Sequence, residues 1–276
     1  MDHLEGTFKG QGGLELYYQR WLPESALRAV LAVVHGFGEH SGRYGNVVNW
    51  FVPKGYAVYA HDMRGHGRSP GKRGYIESYA EIRGDVRAFL ELVHSQEPGA
   101  VVFLLGHSQG GLTVLNYVLH DPSGLAGVVA SGPLLCPPGI SPVLLQLSRL
   151  LSHVAPGLAV ETGLDATTLS RDKTVVDAYV NDPLVHGKGT PRLSTELTAT
   201  INWTQAHAAD LALPCLIVHG GADRLCAPQA SREFFDKITF ADKERHEYEG
   251  YYHEVYNDVG KEKILADVEA WLERHL

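Results

Sequence analysis

The sequence predicts an α/β fold in which a mainly parallel central sheet is flanked by helices, with a helical insertion in its second half. Three observations predict it. Short runs rich in valine and leucine recur along the 276 residues, and most are continuously apolar, the pattern of strands buried on both faces. Helical periodicities fall between those runs, and such alternation implies parallel strands joined by crossovers. One long stretch then carries no comparable run.

Taken in order, Leu14–Arg20 alternates apolar and polar residues and predicts an exposed antiparallel edge strand. Ala29–Val34, Tyr56–Ala60, Val101–Leu105, Leu125–Ala130 and Pro214–Val218 predict the buried strands. Ile82, Val86, Phe89, Leu90 and Val93 share one face of a helix, Leu112–Leu119 predicts another, and Ile264, Val268, Trp271 and Leu272 repeat the helical spacing near the end. From 134 to 200 no convincing buried strand occurs, and that length is too great for a simple loop. It divides the chain into a core part at 1–133, a helical cap at 134–200 and a second core part at 201–276. Within the cap, Val143, Leu144, Leu147, Leu150, Leu151 and Val154 form a broad apolar helical face. That face either packs onto the sheet or forms a lid with apolar surface left for lipid or a long-chain substrate.

Composition removes several classes of function. With 44% apolar and 20% charged residues the chain is not disordered, and its 30 glycines cluster rather than repeat every third position as in collagen. A net charge of −8 argues against a nucleic-acid groove. No apolar run approaches a spanning helix, and the acidic start at Met1–Glu5 lacks the apolar region of a secretory signal, so a cytoplasmic location, with peripheral contact at membranes through the cap, is the expectation. Cys136, Cys215 and Cys226 are odd in number and widely spaced, which fits small buried hydrophobes better than a disulfide framework or a zinc site. Histidine is abundant, yet no H-E-x-x-H or similar spacing is present, so neither a metal nor a cofactor is expected.

Chemistry enters where Val101–Leu105 runs into Gly106-His107-Ser108-Gln109-Gly110-Gly111 and then a helix. This is G-x-S-x-G in a strand–turn–helix context. A sharp turn forces its central residue into a strained conformation, so the flanking positions must lack a Cβ. Ser108 is thereby raised above the sheet at a helix N-terminus, where backbone N–H groups meet developing negative charge. A serine hydroxyl needs a base to take its proton and an acid to orient that base. In this type of turn the chain order is serine, acid, histidine. Asp223, just past Pro214–Val218, and His253, before the last helix, fill the order. The glycine-rich turn His35-Gly36-Phe37-Gly38 after Ala29–Val34 brings a second main-chain donor, so the amides of Phe37 and Gln109 are the candidate oxyanion hole. His35 reads as a local hydrogen-bond anchor, and Asp62 and Arg64 as residues pinning the next turn.

These residues resemble those of the α/β-hydrolases of the monoacylglycerol lipase and lysophospholipase group. The resemblance is carried by HGFGEHSGRY at 35–44, DMRGHGRSPGKRG at 62–74, GHSQGG at 106–111 and HEVYND at 253–258, with a similar cap segment at 169–186. It implies an α/β-hydrolase fold with a cap, Ser108, Asp223 and His253 as nucleophile, acid and base, the Phe37 and Gln109 amides as oxyanion donors, and the face at 143–154 as a lid wall guiding an acyl chain. It implies a small-molecule partner, the ester of a single-chain lipid, with monoacylglycerol foremost. Such lipases often carry methionine at the position of Gln109, so the acyl preference stays open. A carboxylesterase, lysophospholipase or thioesterase would use the same machinery, as would a peptidase. A catalytically silent binding module is the reading from a different class. Oligomeric state is not legible in the sequence.

Overall fold

A computed structural model describes residues 1–137 and 142–276, and in the helix at 142–154 it describes the side chains at 146 and from 148 onward. In chain order the elements are β1 (Asp2–Lys9), β2 (Glu15–Leu22), β3 (Ala29–Val34), α1 (Gly45–Phe51), β4 (Tyr56–His61), α2 (Tyr79–Gln96), β5 (Val102–His107), α3 (Gln109–His120) and β6 (Gly127–Ser131). They continue with α4 (Pro142–Val154), β7 (Val160–Glu161), α5 (Lys173–Asn181), β8 (Lys188–Gly189), α6 (Pro191–Ala206), β9 (Cys215–Gly220), α7 (Pro228–Lys237), β10 (Lys243–Tyr248) and α8 (Lys261–Glu273). Among the described residues eight strands form one sheet in the order β1-β2-β4-β3-β5-β6-β9-β10, parallel from β4 through β10.

The buried strands alternate between two cores because successive side chains of a strand point to opposite faces. In β3, Val30, Ala32 and Val34 face the layer of α2, α3 and α6, whereas Ala29, Leu31 and Val33 face α1 and α8. Trp271 of α8 is fully buried and lies over Gly127, where a Cβ would come within 2.5 Å of its ring. No helix among the described residues is long and apolar enough to cross a membrane.

One strand expectation needs correction, and two edge strands were not expected. Leu14–Arg20 lies in an antiparallel strand, but β2 is not the edge, since β1 pairs along its outer side and β4 along its inner side. β1 is almost wholly exposed and its sequence, DHLEGTFK, lacks the apolar run that marks a buried strand. β10, reading KERHEY, is the opposite edge and equally polar.

The segment between β6 and β9 holds α4, α5 and α6 with the small antiparallel pair β7–β8. α6 runs past residue 200, and its Ile201 and Thr204 are buried beside the sheet layer, so the expected boundary falls inside a helix. The chain crosses from one side of β3 to the other on passing from β4 to β5. Their carboxyl ends therefore open a crevice at a topological switch point, the usual place for a ligand in such sheets.

Candidate active site

Ser108 stands at that crevice, between β5 and α3. Its φ of 55° and ψ of −117° make it the only non-glycine residue with positive φ among the described residues. The strain is held from several sides. Ser108 N–H donates to Ser131 O at 2.9 Å, and its carbonyl accepts from Leu112 N and Leu134 N at 3.0 Å each. The glycines are required by space: a Cβ at Gly106 would lie 2.2 Å from Gly110 O, and one at Gly110 would lie 2.1 Å from Val34 O. Gln109 opens α3, so its N–H has no acceptor within the helix. Among the described residues Phe37 N–H likewise donates to no backbone carbonyl. Both residues line the cavity that Ser108 lines.

Asp223 follows β9 and is enclosed by donors. Its Oδ2 accepts from His253 Nδ1 at 2.7 Å and from His219 Nε2 at 3.2 Å, while Oδ1 accepts from Leu225 N and Cys226 N at 2.8 and 2.9 Å. Burial works to raise the Asp223 pKa, but the attraction of His253 and the histidine hydrogen bonds hold it well below the usual carboxylate range. Conversely, burial would lower the pKa of His253, and the Asp223 charge and hydrogen bond raise it above the ordinary imidazole value. Gly220 makes this approach possible, since a Cβ there would sit 2.1 Å from Tyr252 O in the loop that carries His253. The structure thus brings Ser108, Asp223, His253, Phe37 and Gln109 to one end of the sheet. It adds His219, a second donor to Asp223, and His107, whose ring lies 4.6 Å from that of His253. Burial drives the His107 pKa down to about 4, so it is neutral at physiological pH.

The supporting turns match their expected roles. His35 Nε2 accepts from Met63 N at 2.9 Å and its Nδ1 meets Gly36 O at 2.7 Å. Asp62 takes Ser41 N and Arg68 N, and Arg64 forks onto Asp85 at 2.6 and 2.9 Å. The cysteines are free, with Cys215 and Cys226 buried and Cys136 half-buried. Burial raises both buried thiols, Cys215 to about 12.

A cavity of about 600 Å³ spreads from Ser108 and His253 beneath the insertion. Leucines are the commonest side chains in its wall: Leu134 just after β6, Leu151, Leu158, Leu164 and Leu169 further along the insertion, Leu193 and Leu197 from α6, and Leu225 beside Asp223. Of the expected lid residues, Leu151 lines it and Leu150 is 62% exposed outside it. The side chains of Val143, Leu144 and Leu147 lie outside the described residues. The α6 leucines were not foreseen as lining, although their spacing of four residues is a helical face.

A family model described as serine aminopeptidase, S33, matches residues 25–260. The chain belongs to this S33 family. Its fold is the α/β-hydrolase fold, as in the monoacylglycerol lipase structures it resembles. It is similar to the monoacylglycerol lipase of Mycolicibacterium smegmatis, 39% identical over 99% of this chain and 98% of the relative. Human monoglyceride lipase is 30% identical over 94% of this chain and 87% of its own length. Among solved structures, the monoacylglycerol lipase of Paleococcus ferrophilus superposes with a TM-score of 0.85 at 35% identity, covering 95% of this chain and all of that one. A soluble variant of the Saccharomyces cerevisiae monoglyceride lipase, in complex with a substrate analog, gives 0.87 at 25% identity over 97% and 94% of the two chains.

Proposed function

We propose that the protein is a serine hydrolase that cleaves a monoacylglycerol to glycerol and a fatty acid. The observation that carries this reading is the buried Asp223–His253 pair opening, beside Ser108, onto a leucine-lined cavity of about 600 Å³. The similarity to monoacylglycerol lipases across nearly the whole chain supports it. His253 takes the hydroxyl proton of Ser108 as Oγ attacks the ester carbonyl. The oxyanion is met by the Phe37 and Gln109 amides, each such donor being worth roughly 10²–10³ in rate. The C–O bond to glycerol breaks as His253 returns the proton to the leaving oxygen. Water, deprotonated by the same imidazole, then adds to the acyl-Ser108 ester, and the fatty acid leaves.

In this account the insertion is a lid and the leucine cavity takes the acyl chain. Leu150, Val154, Leu158 and Val160 are 52–76% exposed, and Leu158 and Val160 also line the cavity, so the apolar surface borders its mouth. The cap then meets lipid surfaces transiently, which sedimentation with vesicles tests.

The experiment for the reaction is glycerol release from monoacylglycerols, compared with lysophospholipid, thioester and p-nitrophenyl esters of increasing chain length. A preference for glyceryl esters of longer acyl chains is expected, and a collapse of rate beyond short chains would assign a short-chain carboxylesterase instead. Failure of Ser108 to react with a fluorophosphonate would favour a binding module.

A further inference from the structure

The Arg43 guanidinium sits where three segments of the site meet. Glu39, in the turn after β3, accepts from Gly36 N through Oε1 at 2.6 Å and from the Tyr44 hydroxyl at 3.1 Å. Its Oε2 lies 3.0 Å from Arg43 Nη1. Arg43 then forks onto Glu254, Nη1 to Oε1 at 2.6 Å and Nη2 to Oε2 at 2.9 Å. Glu254 is the residue after His253, and its N–H donates to Leu169 O in the insertion at 2.8 Å. Tyr179 of α5 presents its ring to the guanidinium, 4.7 Å from Cζ to centroid. The side chains of Arg43, Glu39 and Glu254 are 9%, 5% and 4% exposed. A bidentate pair of this kind fixes orientation as well as charge.

The two carboxylates outnumber the one guanidinium, and both act on the imidazole. His253 bonds Asp223 at the end of β9 and has the His107 ring, at the end of β5, beside it; Glu254 follows it in the chain, and Arg43 ties Glu254 to Glu39 in the turn after β3. His219 reaches it only through Asp223. Glu254 and Glu39 each work to raise the His253 pKa, after Asp223, and Arg43 holds Glu39 at about 2 against the burial that would raise it.

We infer that Arg43 is a positioning residue for His253: its buried guanidinium bridges Glu39 of the oxyanion turn and Glu254, the neighbour of His253, and so ties the two segments together and balances their carboxylates. This role rests on the proposed hydrolase reading. Removing Arg43 leaves two carboxylates less compensated beside the base, so the imidazole protonates at higher pH. Neutralising Glu254 removes one of those charges, so it protonates at lower pH.

The test is the pH dependence of kcat and KM on one monoacylglycerol for the wild type, Arg43→Met, Arg43→Lys and Glu254→Gln. Arg43→Met should move the acid limb of kcat/KM up by about one pH unit and lower kcat about tenfold or more, with KM little changed. Arg43→Lys, which keeps the charge and loses the fork, should hold the limb and lose kcat only. Glu254→Gln should move the limb down. Opposite-signed shifts are what a merely structural role does not produce. Unmoved limbs, or a raised KM with kcat intact (the mark of a substrate ligand), would overturn the role. Should Arg43→Met fail to fold, an unmoved or upward limb in Glu254→Gln overturns it alone. A wild type that neither turns over nor labels at Ser108 removes the hydrolase reading, whereas an active wild type with unmoved limbs removes only the role of Arg43.

Discussion

At Ser108 the backbone holds a conformation that costs of order 1–3 kcal/mol, and the surrounding glycines exist to permit it. Gly110→Ala places a methyl 2.1 Å from Val34 O, so we expect at least about 3 kcal/mol of destabilisation, seen as a lowered urea midpoint. In the proposed mechanism the base is equally constrained. His253 must be neutral to take a proton, so kcat/KM should fall as pH drops through its raised pKa, with an acid limb above the ordinary imidazole value. Asp223→Asn removes the carboxylate charge that does most to raise it. The limb should shift to lower pH and kcat should fall about 10⁴-fold, and a pH profile with the limb unmoved would contradict the pairing. This scale was the most legible in the sequence, because Gly106, Ser108 and Gly110 carry their geometric reason in their residue types. His219 was not, since a histidine that donates to Asp223 carries no local spacing signal to set it apart from the other histidines of the chain.

The elements were legible in proportion to their burial. β3, β4, β5 and β9 read as apolar runs because both faces are covered. β1 and β10 escaped notice for the converse reason: as sheet edges they are rich in charge, which is how exposed edges avoid pairing with other chains. α8 was readable from Ile264, Val268, Trp271 and Leu272, all buried against the sheet. Trp271→Ala should cost about 3–5 kcal/mol by urea unfolding, since the ring fills the space over Gly127. A loss below about 1 kcal/mol would show that α8 contributes little to the core.

Across the whole molecule, the insertion and the sheet together enclose a space that neither makes alone. Leu134 comes from the start of the insertion just after β6, Leu151 and Leu169 from further along it, and Leu193 and Leu197 from a helix that runs on into the second core part. A cavity formed by residues so distant in sequence has no periodicity of its own, so the apolar face of 143–154 pointed only to one part of its wall. Leu197→Trp should narrow the space and lower kcat/KM for long acyl chains about tenfold relative to short ones. An unchanged chain-length profile would place the acyl chain elsewhere. Whether Ser108 cleaves monoacylglycerols is decided by glycerol release from a long-chain monoacylglycerol by the wild type and by Ser108→Ala, each shown to be folded. The wild type should turn over, and the variant should lose about 10⁶-fold in rate. Equal release by both, or none by a folded wild type, would contradict cleavage by Ser108.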